Sequence, residues 1–444
     1  MVELMPHQQE GADWIAASNR DLLLHWDQGV GKTYAAVAGC DRAAASSILV
    51  ICPAVARRNW AREVAVCQTM DRPIVVIESQ TDLPANPDGV VIISYDLAVR
   101  LAEPLSRCYW DMLVIDELQL LKNPSAKRTR AVFGRGNNLG IAGGAERILA
   151  LSGTPAPNHI GELYPWLSGI GYATGSYQQF LRRHCLLQDT PWGIKVTGNK
   201  RDDVRALMQR IAPSISRIRK ADVLTDLPPV RFSSIEVPGD HTAEQVRDLE
   251  AEYRTEINQL IQSIEGKALP PSDHLTTLRR LTEMAKAGDC IAMLRQELSD
   301  RAIDKVVVFA THRDVIAALA EGLDAFGVEI LHGAVAAARR QEAIDNFQAG
   351  TARVFIGQTL AASTAITLHA NGACQDVVFV SADWVPSNNA QAVARVHRKG
   401  QTNTVTARFL HLSNSVDEAV TRALWRKTRM LAEIFGDGGE HYAA

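Results

Sequence analysis

The sequence predicts an α/β protein with two parallel-sheet lobes. Short β-branched runs alternate with helical stretches over residues 1–175, the pattern of a parallel sheet covered by helices. The same alternation returns from residue 301. Between them, over residues 176–300, strand-like runs become rare and helical patterns dominate. We therefore predict a first lobe (1–175), a helical insertion (176–300) and a second lobe (301–444).

The composition is that of a globular protein and argues against several other classes. The 444 residues are 46% hydrophobic and 22% charged, which is ordinary for soluble domains. No apolar run approaches the roughly 20 residues of a membrane span, and the amino terminus lacks the pattern of a signal peptide. The seven cysteines form no C-x-x-C pair, which argues against zinc ribbons and disulfide frameworks. We expect a cytoplasmic protein with no membrane partner.

The first lobe contains a predicted phosphate-binding loop. Residues 29–33 read GVGKT, after an apolar run and before an alanine-rich helical stretch. Glycine amides and a helix amino terminus bind phosphate, a lysine neutralises its charge, and a threonine hydroxyl holds Mg²⁺. These roles fall to Gly29, Gly31, Lys32 and Thr33. Trp26 stands where the strict pattern has its first glycine.

An acidic pair follows a later apolar strand. Residues 113–119 read LVIDELQ, so the strand ends in Asp116 and Glu117. After a phosphate loop, this pattern predicts Asp116 as the second anchor of Mg²⁺ and Glu117 as the base that orients and deprotonates the attacking water. Taken alone, such a pair after a strand is more often a pair of acidic residues at a helix amino terminus.

Two arginines predict that the second lobe completes this site. Arg395 and Arg398 lie within residues 383–401, DWVPSNNAQAVARVHRKGQ, and on a helix this spacing would place them on one face. Planar guanidinium groups stabilise the charge of a phosphoryl group during hydrolysis. We predict that both arginines act as catalytic fingers when the two lobes close on one nucleotide.

The order of these motifs resembles the SWI/SNF-related ATPases, helicase-like motors of superfamily II with two RecA-like lobes. The resemblance covers nearly the whole chain and is nearest to the compact annealing-helicase-like, bacterial and phage members. In chain order the matching segments are the Q motif (4–15), Ia (48–63), Ib (92–97), II (113–123), III (151–158), IV (306–312), V (363–368) and VI (391–401).

The resemblance implies a DNA-dependent ATPase that uses ATP and Mg²⁺ and has double-stranded DNA as its partner. It implies catalytic roles for Lys32, Glu117, Arg395 and Arg398, and nucleotide contacts from Gln8, which would recognise adenine, and Gln391. It further implies a carboxyl-terminal brace helix over residues 416–435. The nucleic-acid contacts that it implies are Arg57, Arg58, Ser94, Thr154, Thr311 and Thr364.

Two departures from the family pattern bear on coupling. Gln119 stands where the family has a histidine that transmits the nucleotide state toward neighbouring motifs, among them Ser152 of motif III. An amide still donates and accepts hydrogen bonds, so Gln119 is expected to act in the same way; the alternative is that it only fills space beside the strand end. In motif V, Ser363 and Ala365 replace two glycines, which restricts a close backbone approach to DNA or nucleotide.

The net charge of −3 does not by itself indicate a nucleic-acid binder. A motor needs only a local basic track, and each short basic cluster is also explained as solvated surface. The absence of a long Lys/Arg run favours a bacterial or phage origin over a nuclear one. Beside Arg57 and Arg58, the candidate track residues are Lys122, Lys127, Arg128, Arg182, Arg183 and His184.

We therefore expect a monomeric ATP-dependent double-stranded DNA translocase that remodels DNA structures or displaces bound proteins, with targeting done either by the two lobes themselves or by an additional recruiting protein. Two alternatives stay open. One is a strand-separating DNA or RNA helicase, although motif VI ends in KGQ and not in the RxGR of RNA-directed members. The other is a nucleotide-dependent DNA-binding switch with weak turnover, suggested by Gln119 and the altered motif V.

Overall fold

The computed structural model divides the chain into two compact units, one ending at Val223 and the other beginning at Leu224. Thr364, the altered motif V residues and almost all of the predicted brace helix lie outside the described residues. The described residues are 3–84, 88–134, 139–190, 193–253, 255, 273–333, 335, 337–358, 366–383, 386–415 and 417–419.

The first unit is built on a parallel sheet. Its strands are β1 (Leu22–Trp26), β2 (Ser47–Cys52), β3 (Ile74–Val76), β4 (Gly89–Ser94), β5 (Trp110–Asp116), β6 (Ala145–Leu151), β7 (Cys185–Thr190), β8 (Gly193–Asn199) and β9 (Ile215–Ile218). Seven of them form the sheet, in the order β3-β4-β2-β5-β6-β1-β9, with every pair parallel. Strands β1, β2 and β4 are buried along their whole length, as continuous apolar runs predict.

Helices connect these strands and set where the loops lie. They are α1 (Pro6–Ala17), α2 (Lys32–Arg42), α3 (Arg57–Cys67), α4 (Tyr95–Arg100), α5 (Ala102–Arg107), α6 (Lys127–Phe133), α7 (Tyr164–Gly169), α8 (Tyr177–His184), α9 (Arg201–Ile211) and α10 (Lys220–Val223). Because the strands are parallel, the segments that follow β1, β2, β4, β5 and β6 meet at one edge of the sheet. Ligands of open parallel sheets bind at this carboxyl edge.

The second unit has its own parallel sheet. Its strands are β10 (Val230–Val237), β11 (Lys305–Ala310), β12 (Val328–Leu331), β13 (Val354–Gln358), β14 (Cys374–Phe379) and β15 (Val405–Leu412), in the order β10-β15-β14-β11-β13-β12. Its described helices are α11 (Thr242–Glu252), α12 (Asp273–Ser299), α13 (Arg313–Leu323), α14 (Ala337–Ala349) and α15 (Pro386–Val393). Alternate residues of β11 belong to two separate cores, so both faces of the sheet are covered.

The stretch 176–300 is not a helical region of its own. Strand β9 completes the first sheet, β10 pairs with β15 of the second, and β7 and β8 form an antiparallel hairpin. The sequence pattern did not predict β9 and β10, because both strands are only partly buried and carry polar side chains. The long helix α12 does agree with the helical pattern predicted for this stretch. Among the described residues, no helix is both long and apolar enough to cross a membrane.

Candidate active site

The phosphate loop between β1 and α2 has the conformation that its glycines predict. Gly29 and Gly31 both have a φ of 83°, a left-handed conformation that glycine adopts without strain. A Cβ at Gly31 would collide with the side-chain amide of Gln8. The Lys32 ammonium donates to the main-chain carbonyls of Trp26 (2.8 Å) and Asp27 (3.1 Å). The lysine is therefore held against the loop that is predicted to bind the phosphates, whose charge it would balance.

Gln8 of α1 lies directly on this loop. Its side chain is buried; Nε2 donates to the Val30 carbonyl at 3.1 Å, and Oε1 accepts from the Met5 amide at 2.9 Å. Both ends of the amide therefore bond to the main chain. The structure places Gln8 beside the phosphate loop, and its recognition of adenine stays a prediction.

Trp26, which replaces the first loop glycine, is a fixed part of the structure. It is fully buried, its indole Nε1 donates to the Ser216 hydroxyl of β9 at 2.9 Å, and its ring meets that of His7 edge-on at 5.7 Å between centroids. Gly11 of α1 leaves room for the indole, because a Cβ there would overlap it. Trp26 thus ties the end of β1 to α1 and β9, a role that the sequence pattern did not indicate.

The acidic pair ends β5. Asp116 Oδ2 accepts from the Trp60 indole of α3 at 2.8 Å, and the Asp116 carbonyl accepts from the Tyr95 hydroxyl at 2.6 Å. Burial, together with the charge of Glu117, raises the pKa of Asp116 to about 7. Glu117 has a φ of 57°, a strained conformation for a non-glycine residue and one that is frequent at functional sites.

Gln119 connects Glu117 to motif III by a line of hydrogen bonds. Its Nε2 donates to Glu117 Oε2 at 2.6 Å, and its Oε1 accepts from the Ser152 hydroxyl at 2.6 Å. The same Ser152 oxygen accepts from the Thr154 amide at 3.0 Å. Ser152 is fully buried. Both ends of the Gln119 amide are therefore engaged, and its role in coupling stays a prediction.

A second contact holds the far end of motif III. The backbone amide and Nδ2 of Asn158 both donate to Glu162, each at 2.7 Å, and Lys122 of the motif II extension lies 3.3 Å from the same carboxylate. Glu162 is buried. Lys122, a candidate for the basic track, is thus paired with a buried acid, which binds motif II to motif III.

A buried histidine lies between the phosphate loop and motif III. His25, on β1, is hydrogen-bonded to the backbone of Gly153. The pKa of His25 is lowered well below its ordinary value. Burial is the largest cause, and the positive charges of Arg217 and Lys32 add to it. A neutral His25 therefore belongs to the folded structure.

The two arginines of motif Ia are engaged within the first unit. Arg57 donates from Nε to the Ala54 carbonyl at 3.2 Å, and from Nη1 to the Ile77 carbonyl. Arg58 pairs with Glu78 at 3.1 Å, and both of these side chains are more than half exposed. Since such an exposed ion pair contributes little stability, Arg58 keeps the character of a surface cation.

Three other predicted nucleic-acid contacts are less accessible than expected. Ser94 is buried and caps α4, its hydroxyl accepting from the Leu97 amide at 3.4 Å, so it does not lie at the surface as a DNA contact would require. His184 is also buried, with its ring 4.5 Å from that of Phe180. The Thr154 hydroxyl oxygen is buried and has no hydrogen-bond partner among the described residues.

Thr311 follows β11 in the second unit and is held by three groups. Its hydroxyl accepts from Arg279 at 3.1 Å, its amide donates to the buried Glu283 at 2.5 Å, and its carbonyl accepts from Gln358 Nε2 at 3.0 Å. Arg279 and Glu283 belong to α12. This helix therefore fixes motif IV, a function that its sequence did not reveal.

The predicted arginine fingers do not lie on a helix. Helix α15 ends before them, and residues 394–400 form turns, so the expected common helical face is wrong. The helix stops where the Arg395 carbonyl accepts instead from the Leu368 amide at 2.8 Å. Arg395 is buried, and Arg398 is half-buried and donates to the Ile366 carbonyl at 3.0 Å. Gln391 is buried within α15.

Family models assign both units. The model described as the SNF2-related domain matches residues 7–288, and the helicase conserved C-terminal domain matches residues 289–400. The chain belongs to the SNF2-related family. This SNF2-related chain is accordingly a helicase-like ATPase, and the prediction of two RecA-like parallel-sheet lobes is confirmed.

Several relatives of this SNF2-related chain are animal proteins. It is 26% identical over 440 residues to the SWI/SNF-related matrix-associated actin-dependent regulator of chromatin subfamily A-like protein 1 of Drosophila melanogaster, covering 97% of this chain and 56% of that protein. The Caenorhabditis elegans homolog is 26% identical over 451 residues, with 97% and 62% covered. Chromodomain-helicase-DNA-binding protein 1-like of Danio rerio is 25% identical, with 98% and 44% covered. The chain thus spans about half the length of these relatives.

Among solved structures, the Sulfolobus solfataricus SWI2/SNF2 ATPase core in complex with dsDNA is 21% identical, with a TM-score of 0.46 and 98% of this chain and 97% of that chain covered. The same core domain without DNA gives 21% identity and a TM-score of 0.45. The bacterial or phage origin expected for this SNF2-related chain stays a prediction.

Proposed function

We propose that this SNF2-related chain is an ATP-dependent translocase on double-stranded DNA that remodels DNA structures or displaces bound proteins. The observation that carries the proposal is the line of hydrogen bonds from Glu117 through Gln119 to Ser152 and Thr154. Motif II in this line would activate water, and motif III is expected to face DNA. A motor needs such a connection between its chemical site and its track.

We place the nucleotide site at the carboxyl edge of the first sheet. The α2 amino terminus and the amides of the phosphate loop would bind the phosphates, with Lys32 balancing their charge. Gln8 and Gln391 are the further proposed nucleotide contacts.

Mg²⁺ fits the residues present. The Thr33 hydroxyl and the Asp116 carboxylate are oxygen donors of the kind that Mg²⁺ prefers. The raised pKa of Asp116, which burial and Glu117 cause, shows that negative charge is costly here, and a dication would relieve that cost. When bound, Mg²⁺ would neutralise charge on the phosphates.

Glu117 is the proposed base for the attacking water. Its strained backbone and the Gln119 hydrogen bond fix where its carboxylate points, and a positioned base typically contributes about 10²–10⁴-fold to a rate. Arg395 and Arg398 of the second unit are proposed to stabilise the transferring phosphoryl group. Arginine fingers contribute about 10³–10⁵-fold, so DNA that favours closure of the lobes would accelerate hydrolysis by a population shift.

The test is ATP turnover by the full chain with no nucleic acid, single-stranded DNA, duplex DNA, forked DNA or RNA. A duplex translocase should be stimulated about tenfold or more by duplex, as expected when a closed state is rare without its ligand. Stimulation by single strands or RNA alone, with displacement of an annealed strand, would favour a strand-separating helicase. Duplex binding without any stimulation would favour a DNA-binding switch.

A further inference from the structure

The hairpin formed by β7 and β8 is separate from both parallel sheets. A two-stranded sheet buries little of its own surface. Leu186 of β7 is 49% exposed and Ile194 of β8 is 43% exposed, and they are two of the seven exposed large hydrophobic residues in the described part of the chain. Apolar side chains concentrated on so short an element indicate a contact surface.

The charge around the hairpin is opposite to that of the whole chain. Residues 176–210 contain seven Lys or Arg and three Asp, with no Glu, in a chain of net charge −3. Arg182 and Arg183 are exposed in the last turn of α8, immediately before β7, and Lys195 lies half-buried on β8. A local basic surface on an acidic protein fits a polyanion.

The base of the hairpin is fixed to the segment that follows motif III. Asn199, the last residue of β8, accepts from the Ile160 amide through Oδ1 at 3.0 Å. At Gly161 a Cβ would overlap Leu181 of α8, so the backbone after motif III packs directly against the helix that leads into the hairpin. Lys200 closes the base by donating from its amide to the His184 carbonyl at 2.9 Å.

We propose that the β7–β8 hairpin and the end of α8 form a docking surface for the phosphate backbone of duplex DNA. The base of this surface is hydrogen-bonded to the segment that follows motif III, so its occupation would bear on the hydrogen-bonded line from motif III to Glu117. This inference rests on the proposed function, because it assigns part of the DNA-binding surface of the proposed translocase to the hairpin. Arg182, Arg183 and Lys195 are its cations, and Leu186 and Ile194 are the apolar side chains that pack against the sugar edges.

Duplex affinity and its salt dependence test this surface. The double variant Arg182→Gln/Arg183→Gln removes two exposed charges; the matched control, Arg100→Gln/Arg107→Gln, removes two exposed arginines from the crossover between β4 and β5. We expect the hairpin variant to raise the duplex Kd about tenfold and to lower the salt slope by about 1.8, or 0.9 for each phosphate contact. The control should leave both values unchanged.

The connection to motif III has its own variant. Asn199→Ala removes the acceptor of the Ile160 amide, whereas Asn199→Asp keeps an acceptor there. We expect Asn199→Ala to bind duplex with a Kd within about twofold of the parent but to lose about threefold or more of the maximal stimulation, since one hydrogen bond contributes roughly 1 kcal/mol. Asn199→Asp should restore the stimulation, which a general folding defect would not allow.

The outcomes separate this inference from the proposed function. If duplex stimulates the parent and the arginine variant keeps the parental Kd, the docking surface is wrong while the translocase proposal stands. In that case Leu186→Ser/Ile194→Ser with unchanged DNA binding would exclude the apolar residues of the hairpin as DNA contacts as well. If duplex fails to stimulate the parent, the translocase proposal fails, and the Kd values still decide whether the hairpin binds DNA.

Discussion

Replacing Gln119 by alanine should uncouple ATP hydrolysis from DNA while leaving basal hydrolysis close to that of the parent. The substitution removes the donor to Glu117 and the acceptor for Ser152, each at 2.6 Å. At Glu117 two effects oppose each other: the carboxylate becomes more basic when it loses a donor, and it becomes less well oriented. Basal turnover should therefore change by no more than about threefold, or roughly 0.7 kcal/mol.

No opposing effect compensates for the lost hydrogen bond between Ser152 and Gln119. The bond between Ser152 and Gln119 is neutral and buried, and a bond of this kind contributes about 0.5–1.5 kcal/mol. If DNA strengthens this bond by that amount relative to the basal state, its loss lowers the stimulation factor about two- to tenfold. Steady-state ATPase measured with and without saturating duplex gives this factor directly. Gln119→His, which restores the family residue, should be tolerated or improve stimulation.

Ser152→Ala provides the decisive comparison. It breaks the same connection from the other side, so Gln119→Ala and Ser152→Ala should lower stimulation to a similar extent, and the double variant should be no worse than either alone. Residues that act through one shared bond are non-additive in this way, whereas independent sites add within about 0.5 kcal/mol. Equal stimulation in the parent and Gln119→Ala would refute the coupling role. Additive losses in the double variant would show that the two residues act separately.

Three further expectations concern the same unit and its predicted partner arginines. Lys32→Ala should weaken nucleotide binding, whereas Glu117→Gln should keep binding and abolish turnover; parental turnover in Glu117→Gln would exclude it as the base. Arg398→Ala, and also Arg395→Ala, should lower kcat by at least about 10²-fold with little change in the ATP dissociation constant, so a parallel loss of affinity would indicate ground-state binding instead. The folded-state pKa of His25 is depressed, so below about pH 6.5 the unfolded chain binds a proton that the folded chain does not bind, and the stability of the parent falls as the pH falls. Between pH 7.5 and 5.5, His25→Asn should therefore lose less unfolding free energy in urea than the parent.

The parts of the fold that the sequence predicted are those in which each strand is buried on both faces. Strands β1, β2 and β4 are buried along their whole length and each contains a continuous apolar run, at residues 22–24, 48–52 and 90–93. Such runs are recognisable without any knowledge of their neighbours. Strands β9 and β10 are partly exposed and mixed in polarity, and pairing with distant strands decides their conformation. The boundary between the units at Val223 and Leu224 follows from those pairings.

The candidate site shows the same division between local and distant information. The phosphate loop and the acidic pair were predictable because a few consecutive residues determine their chemistry. The hydrogen bond from Trp60 to Asp116 and that from Trp26 to Ser216 join residues 56 and 190 positions apart. No periodicity encodes such contacts. The end of α15 at Val393 was missed for a related reason, since the carbonyl of Arg395 is taken by Leu368 from another segment.

Departures from a family motif are therefore better judged by the atoms that a side chain offers than by its identity. Gln119 replaces a histidine, yet its amide supplies one donor and one acceptor, and the structure uses both. Trp26 replaces a glycine, yet its bulk is accommodated by Gly11 and its indole hydrogen bond is satisfied. Buried polar atoms that had lost their partners would destabilise the fold, so both replacements are compatible with an intact site. The alternative of a switch with weak turnover rested in part on Gln119, and the stimulation factors of Gln119→Ala and Ser152→Ala decide that part.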